Sequence, residues 1–138
     1  DWIRERFRDG ATIYQSGYIY AHVQMPMFDE RLRGQYREVS FDEASRTFIS
    51  ADGVRAQAPD VIVRPRCALL YCETPPPLAA VLDAYTPLTT IAAVDPAAAD
   101  RLVYDRDDAF FVPLAGFSGA IRPGPDEVIY VRQALAKP

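Results

Sequence analysis

Apolar positions along this chain follow two spacings, and the changes between them mark the elements. Over residues 1–8, Ile3 and Phe7 fall four apart, on one helix face, and Asp9-Gly10 supplies the stop, with Gly10 suited to a left-handed cap. Ala11 to Gln15 reads as a strand, broken by Ser16-Gly17. Tyr18 to Met25 fits two readings. Ser16 is placed to cap a helix there, while the spacing of Tyr18, Tyr20 and His22 also fits a strand; the helix suits a strand-then-helix opening better. Residues 26–37 read as a polar loop. Ser40-Phe41-Asp42-Glu43 has capping-box spacing, yet Arg46 to Gln57 reads better as a hairpin. In it, Thr47-Phe48-Ile49 and Val54-Arg55-Ala56 flank a turn at Asp52-Gly53. Beyond Ala58-Pro59, Asp60-Val61-Ile62-Val63 is the short, β-branched run of a buried strand.

In the second half, Pro75-Pro76-Pro77 is a rigid breaker. Pro77 suits the first turn of a helix through Leu78, Val81 and Leu82, which Tyr85-Thr86-Pro87 ends. Leu88 to Val94 reads as a strand closed by Asp95-Pro96. Glu127 to Arg132 is a last strand, introduced by Pro123-Gly124-Pro125. This alternation predicts a layered α/β domain: a Rossmann-like mixed sheet flanked by helices, with the hairpin as an insertion or antiparallel edge. No repeat or linker divides the 138 residues, so residues 1–138 read as one domain. Such a length buries roughly two thirds of its unfolded surface and needs no staple.

Composition changes this picture little: 49% hydrophobic and 25% charged residues are ordinary globular usage. Charge narrows the function. At −4, with a pI of about 4.9, the surface repels phosphate backbones. The pairs Arg31/Arg33 and Arg64/Arg66 are too few to reverse that, so no nucleic-acid partner is expected. No apolar run reaches the roughly 20 residues that span a bilayer, and no signal peptide is visible. The opening Asp1-Trp2-Ile3, without Met and already in helical pattern, reads as a piece of a longer protein. Cys67 and Cys72 match neither a zinc nor a thioredoxin pattern. On one straight strand they would face opposite sides, so a disulfide needs a bend between them. The expectation is two buried thiols acting as small hydrophobes.

Catalytic signatures are incomplete. His22 is the only histidine and reads as a packing or surface residue. Gly116-Phe117-Ser118-Gly119-Ala120 resembles a nucleophile elbow but has Ala120 where Gly is required, and His22 precedes the serine. No dinucleotide or phosphate-loop glycine pattern is present, and no cofactor or metal is implied. Ser16-Gly17 offers a weak anion cradle at a helix start, against the plainer reading of a strand-to-helix turn. The densest polar cluster is Tyr104-Asp105-Arg106-Asp107-Asp108. Its two aspartates at alternate positions would suit a hard divalent cation, but a solvated acidic turn is the default. The apolar run Ala109 to Phe117 follows at once. Its bland reading is core. Its functional reading, with Tyr104, Asp105, Asp107, Asp108, Phe110, Phe117 and Arg122 as ligand-binding or docking candidates, is a sugar site where rings stack and carboxylates accept hydroxyl hydrogens.

The run Tyr104-Asp105-x-Asp107-Asp108-Ala109-Phe110-Phe111-Val112-Pro113-Leu114-Ala115-Gly116-Phe117-x-Gly119, followed by Arg122-Pro123-Gly124-Pro125 and Ile129-Tyr130, resembles the extreme C-terminus of bacterial membrane glycosyltransferases similar to family 39. These are the polyprenyl- or dolichyl-phosphate-mannose protein mannosyltransferase and aminoarabinose-transferase type. Trp2-Ile3, Ala11-Thr12-Ile13-Tyr14 and Gly17-Tyr18 resemble the start of the soluble domain that follows their last membrane helix, and Ala58-Pro59-Asp60-Val61-Ile62 is a fainter echo. The likeness covers both ends and about half of the positions; residues 26–57 match nothing in it. It implies a non-catalytic accessory domain on the extracytoplasmic (periplasmic) face of the cytoplasmic membrane. Its partners would be the membrane-embedded half of the same polypeptide and a sugar or polyprenyl-phosphate-linked sugar. The family's catalytic carboxylate lies in the membrane half, so no catalytic residue carries over. The competing reading is a free-standing sugar or small-molecule binding module using residues 104–117.

Overall fold

A computed structural model describes residues 2–7, 10–23, 36–67, 69–101, 119–122 and 124–135. Helix α1 (Trp2–Arg6) leads into β1 (Thr12–Gln15), and then come β2 (Arg37–Asp42), β3 (Thr47–Ser50), β4 (Arg55–Ala56) and β5 (Val61–Arg66). Helix α2 (Leu78–Leu82), β6 (Tyr85–Ile91) and β7 (Asp126–Arg132) complete the elements among the described residues, with short 3₁₀ turns between. The strands form one mixed seven-stranded sheet in the order β4-β3-β2-β1-β5-β7-β6. The chain is thus a mixed α/β fold, with few and short helices among the described residues. β1 lies parallel to β2 and to β5, and every other pairing is antiparallel.

Alternation along the strands sends side chains to two cores. On one face Tyr14, Val39, Phe48, Ile62 and Tyr85 meet Leu78 of α2, with Val81 and Leu82 packed alongside. On the other, Ile13, Val61, Val63 and Ile129 meet Ile3 of α1, with Phe7 alongside. Each helix brings apolar residues three or four apart, which is why so short a segment can still bury a stripe. Asp60 ties the lower ends of three strands together. Its Oδ2 accepts from the Thr12 amide (2.9 Å) and hydroxyl (3.0 Å), and its Oδ1 pairs with Arg132. Burial alone pushes the Asp60 carboxyl up, but the Thr12 donors and Arg132 outweigh it and hold the group below the usual carboxylate range. Both sheet edges are poor templates for a further strand: β4 has two residues, and β6 carries Pro87 and a bulge between Pro87 and Thr89.

Several expectations need correction. Where a helix is expected over Tyr18 to Met25, residues 18–23 hold only a 3₁₀ turn at Ile19–Ala21, with Tyr18 and His22 extended; Gln24 and Met25 lie outside the described residues. Ser16 caps nothing. The Gln15 amide instead captures Val23, accepting from its N–H at 2.8 Å and donating to its carbonyl at 3.2 Å, so the chain is held against β1 there. The Ser40–Glu43 stretch is strand and turn, and the hairpin at Asp52-Gly53 has a neighbour, β2–β3. Asp42 accepts from the Ala44 N–H and the Ser45 hydroxyl, and Arg46 takes a left-handed φ of 54°; this Asx turn imitates a helix cap in sequence. Tyr85-Thr86-Pro87 does not end α2 as a loop but opens β6. The two cysteines are not free thiols: they form a disulfide, Cα atoms 5.7 Å apart, and the 3₁₀ turn Leu70–Cys72 supplies the bend that the pairing needs.

Candidate functional site

Beyond Gln15, β1 turns toward β2 on one side; beyond Arg66, β5 turns toward α2 and β6 on the other. Neighbouring parallel strands whose connections part in this way leave a crevice at their carboxyl ends, where open α/β sheets bind ligands. A cleft of about 670 Å³ lies at this end of β1 and β2, within the size range of small-molecule sites. Tyr14, Gln15, Gly17, Tyr18 and His22 line it from β1 and the turn after it; Glu38, Val39, Ser40, Phe41 and Glu43 do so from β2. Glu73 to Pro76 close the wall below α2.

The positions of these groups follow from local bonding. Gln15 is buried, and its Nε2 also donates to Glu38 Oε1 at 3.2 Å, so one amide fixes both the returning chain and a cleft carboxylate. His22 Nε2 donates to the Gly17 carbonyl at 3.1 Å, so Nε2 carries a hydrogen. Gly17 has a φ of +79°, and a Cβ there would stand 2.6 Å from the Tyr71 carbonyl oxygen, so only glycine lets the two loops touch. Arg64 donates to Thr74 Oγ1 at 3.0 Å and steadies the wall from outside the cleft.

Among the described residues the charged lining is acidic, from Glu38, Glu43 and Glu73, with no lysine or arginine. Burial first, and the charge of Glu43 second, push the Tyr14 phenol up to about 12, so it stays protonated. The arrangement offers carboxylate acceptors, a phenol, an amide and ring faces: groups that take hydroxyl or ammonium donors and disfavour phosphates. At the anion cradle read at Ser16-Gly17, the Ser16 N–H is taken by the Val63 carbonyl, and the next donor along, the Tyr18 N–H, by the Tyr71 carbonyl. Among the described residues no three His, Cys, Asp or Glu side chains gather as metal ligands.

Of the candidates read from sequence, Tyr104, Asp105, Asp107, Asp108, Phe110 and Phe117 lie outside the described residues. Arg122 is away from the cleft. Its Nη2 donates to the Ile91 and Pro125 carbonyls, clamping the 119–122 turn onto β6. Of the cleft residues, the sequence singles out His22 and Gly17, both as plain structural positions; Gln15 is missed, although a polar residue inside an apolar strand is a signal of a specific task. Glu38 and Glu43 carry no such mark, because a surface strand and an acidic turn look alike in sequence. No family model, no curated protein and no solved structure matches this chain.

Proposed function

We propose that this chain is the non-catalytic, extracytoplasmic domain of a membrane glycosyltransferase that draws its sugar from a polyprenyl-phosphate donor, and that its cleft shapes the acceptor site by holding a sugar. The observation that carries the reading is the disulfide-braced cleft wall. Cys67–Cys72 closes the turn whose Tyr71 carbonyl holds Tyr18, and Glu73 to Pro76 follow directly. Disulfides persist in oxidising compartments, which supports an address outside the cytoplasm. The cleft's acceptors and rings match the chemistry of a neutral or amine-bearing sugar. Attachment to a membrane half rests on the likeness at the two ends of the sequence. The Rossmann-like layering belongs to the same reading, with the sheet's carboxyl edge as its working face.

The test is thermal stability with mannose, glucose and glucosamine, set against inorganic phosphate and a short polyprenyl phosphate. A sugar at ~100 times its Kd stabilises the fold by roughly 2.7 kcal/mol, and Glu43→Gln abolishes the shift while leaving the unliganded stability in place. A shift with phosphate alone, or none with any sugar, overturns the cleft assignment. The reading frame upstream of Asp1 is expected to encode several hydrophobic spans; a frame without them removes the membrane attachment.

A further inference from the structure

Beside the cleft, two tight turns stand against each other and carry large side chains into solvent. Tyr18, Ile19 and Tyr20 are 62%, 66% and 66% exposed, and Leu70 is 38% exposed. Tyr71 sits between the turns and meets Tyr18 and Tyr20 edge-on, with ring centroids 6.2 and 5.4 Å apart. No charged residue occurs in 17–21 or 69–72. The backbone of the ridge bonds to itself: Tyr18 N–H to Tyr71 O, Ala21 N–H to Tyr18 O, His22 N–H to Ile19 O, Cys72 N–H to Leu69 O and Glu73 N–H to Leu70 O. The disulfide closes the second turn.

We infer that this ridge docks on the surface of a lipid bilayer, seating Ile19 and Leu70 at the acyl boundary and the tyrosines among the headgroups. Three properties favour lipid over a protein partner. The exposed area is roughly 450 Å², against about 800 Å² per partner for a stable protein interface. Five backbone N–H groups of the ridge are already bonded within it, which lowers the cost of placing its turns against lipid. Tyrosine next to aliphatic side chains is the composition of the membrane–water boundary, where one end of the ring is apolar and the other is wet. With the chain at −4, neutral lipid suits the ridge better than anionic lipid. Tyr18 lines the cleft as well, so docking turns the cleft mouth toward the headgroup layer. The inference does not depend on the sugar assignment, because lipid binding is read without any sugar present.

The experiment is flotation of the 138-residue chain with phosphatidylcholine vesicles, with and without phosphatidylglycerol, at low and high salt. The wild type floats with pure phosphatidylcholine at both salt concentrations. Ile19→Glu lowers the lipid partition constant, read from flotation across a lipid titration, about tenfold or more, the worth of one buried aliphatic side chain. Val54→Glu, the same change at another exposed apolar site on the β3–β4 turn, leaves flotation unchanged. Circular dichroism confirms that both variants fold. No flotation of the wild type, flotation of Ile19→Glu equal to wild type, or binding that needs phosphatidylglycerol and vanishes with salt would each overturn the proposal. A dimer that Ile19→Glu dissociates, without flotation, would reassign the ridge to a protein interface.

Discussion

Glu127 is the sharpest place to test the energetics of this fold. It lies on β7 beside Pro65 of β5 and Ile91 of β6, on the sheet face of Val63 and Ile129, and is 4% exposed. Its Oε2 has no hydrogen-bond partner. Burial pushes its carboxyl up to about 8; Arg122 pulls the other way and Asp126 adds slightly to the rise. In the unfolded chain the same group titrates near 4.5. The folded state therefore holds a proton that the unfolded state has released across that window. The associated stability is complete below about 4.5 and is lost as pH rises to about 8. One proton over this span corresponds to a slope of up to about 1.4 kcal/mol per pH unit, and to roughly 3 kcal/mol between about pH 5 and pH 8. Glu127→Gln removes the titration and keeps the shape. Urea unfolding followed by circular dichroism at several pH values, with unchanged m, gives the gap between the two proteins. The variant gains on the wild type by about 3 kcal/mol as pH rises over the window. The absolute offset, which includes the new amide's own bonding, does not enter the test. A gap that stays flat would mean that Glu127 ionises as freely in the fold as in the open chain, and the burial argument would be refuted.

The remaining predictions concern the loops around the cleft. Replacing Cys67 and Cys72 by Ser lowers stability by about 2 kcal/mol, the loop-closure value for so short a ring; thiol titration of the unaltered chain finds two reactive groups only after a reductant is added. Gly17→Ala costs about 2 kcal/mol or more, because it adds the 2.6 Å contact with Tyr71 O to the strain of φ +79°. Gly53→Ala, with the same φ of +79° and nothing within 4 Å, costs about 1 kcal/mol, and equal losses at the two glycines would refute the contact argument.

Where local rules and tertiary packing agree, the elements could be read directly. β1, the Asp52-Gly53 hairpin, β5, α2 and β7 all stand where β-branched runs, a Gly turn or a Pro start put them. The failures lie where a distant group decides. The return of the chain at Val23, next to the extended His22, is held by the Gln15 amide eight residues away, and no window centred on Tyr18 to Met25 contains that information. The disulfide depends on a bend made by the 3₁₀ turn, not on cysteine spacing alone. β2 was hidden because an Asx turn and a helix cap use the same side chains. The cleft was illegible for a similar reason: its acids come from β2, its turn and the loop before α2, and only pairing β1 with both β2 and β5 brings them to one edge.

The central place of β1 also sets how the chain must fold. Its N-terminal anchor, Thr12, waits for Asp60, 48 residues later, and Asp60 in turn waits for Arg132, 72 residues further on. The β2–β3–β4 meander needs only near neighbours and can form early. Until β7 arrives, β1 and β5 have apolar residues such as Ile13, Val61 and Val63 without their final cover. A sheet closed last by its most distant pairings folds slowly, and the hazard of aggregation falls on its two middle strands rather than on its edges.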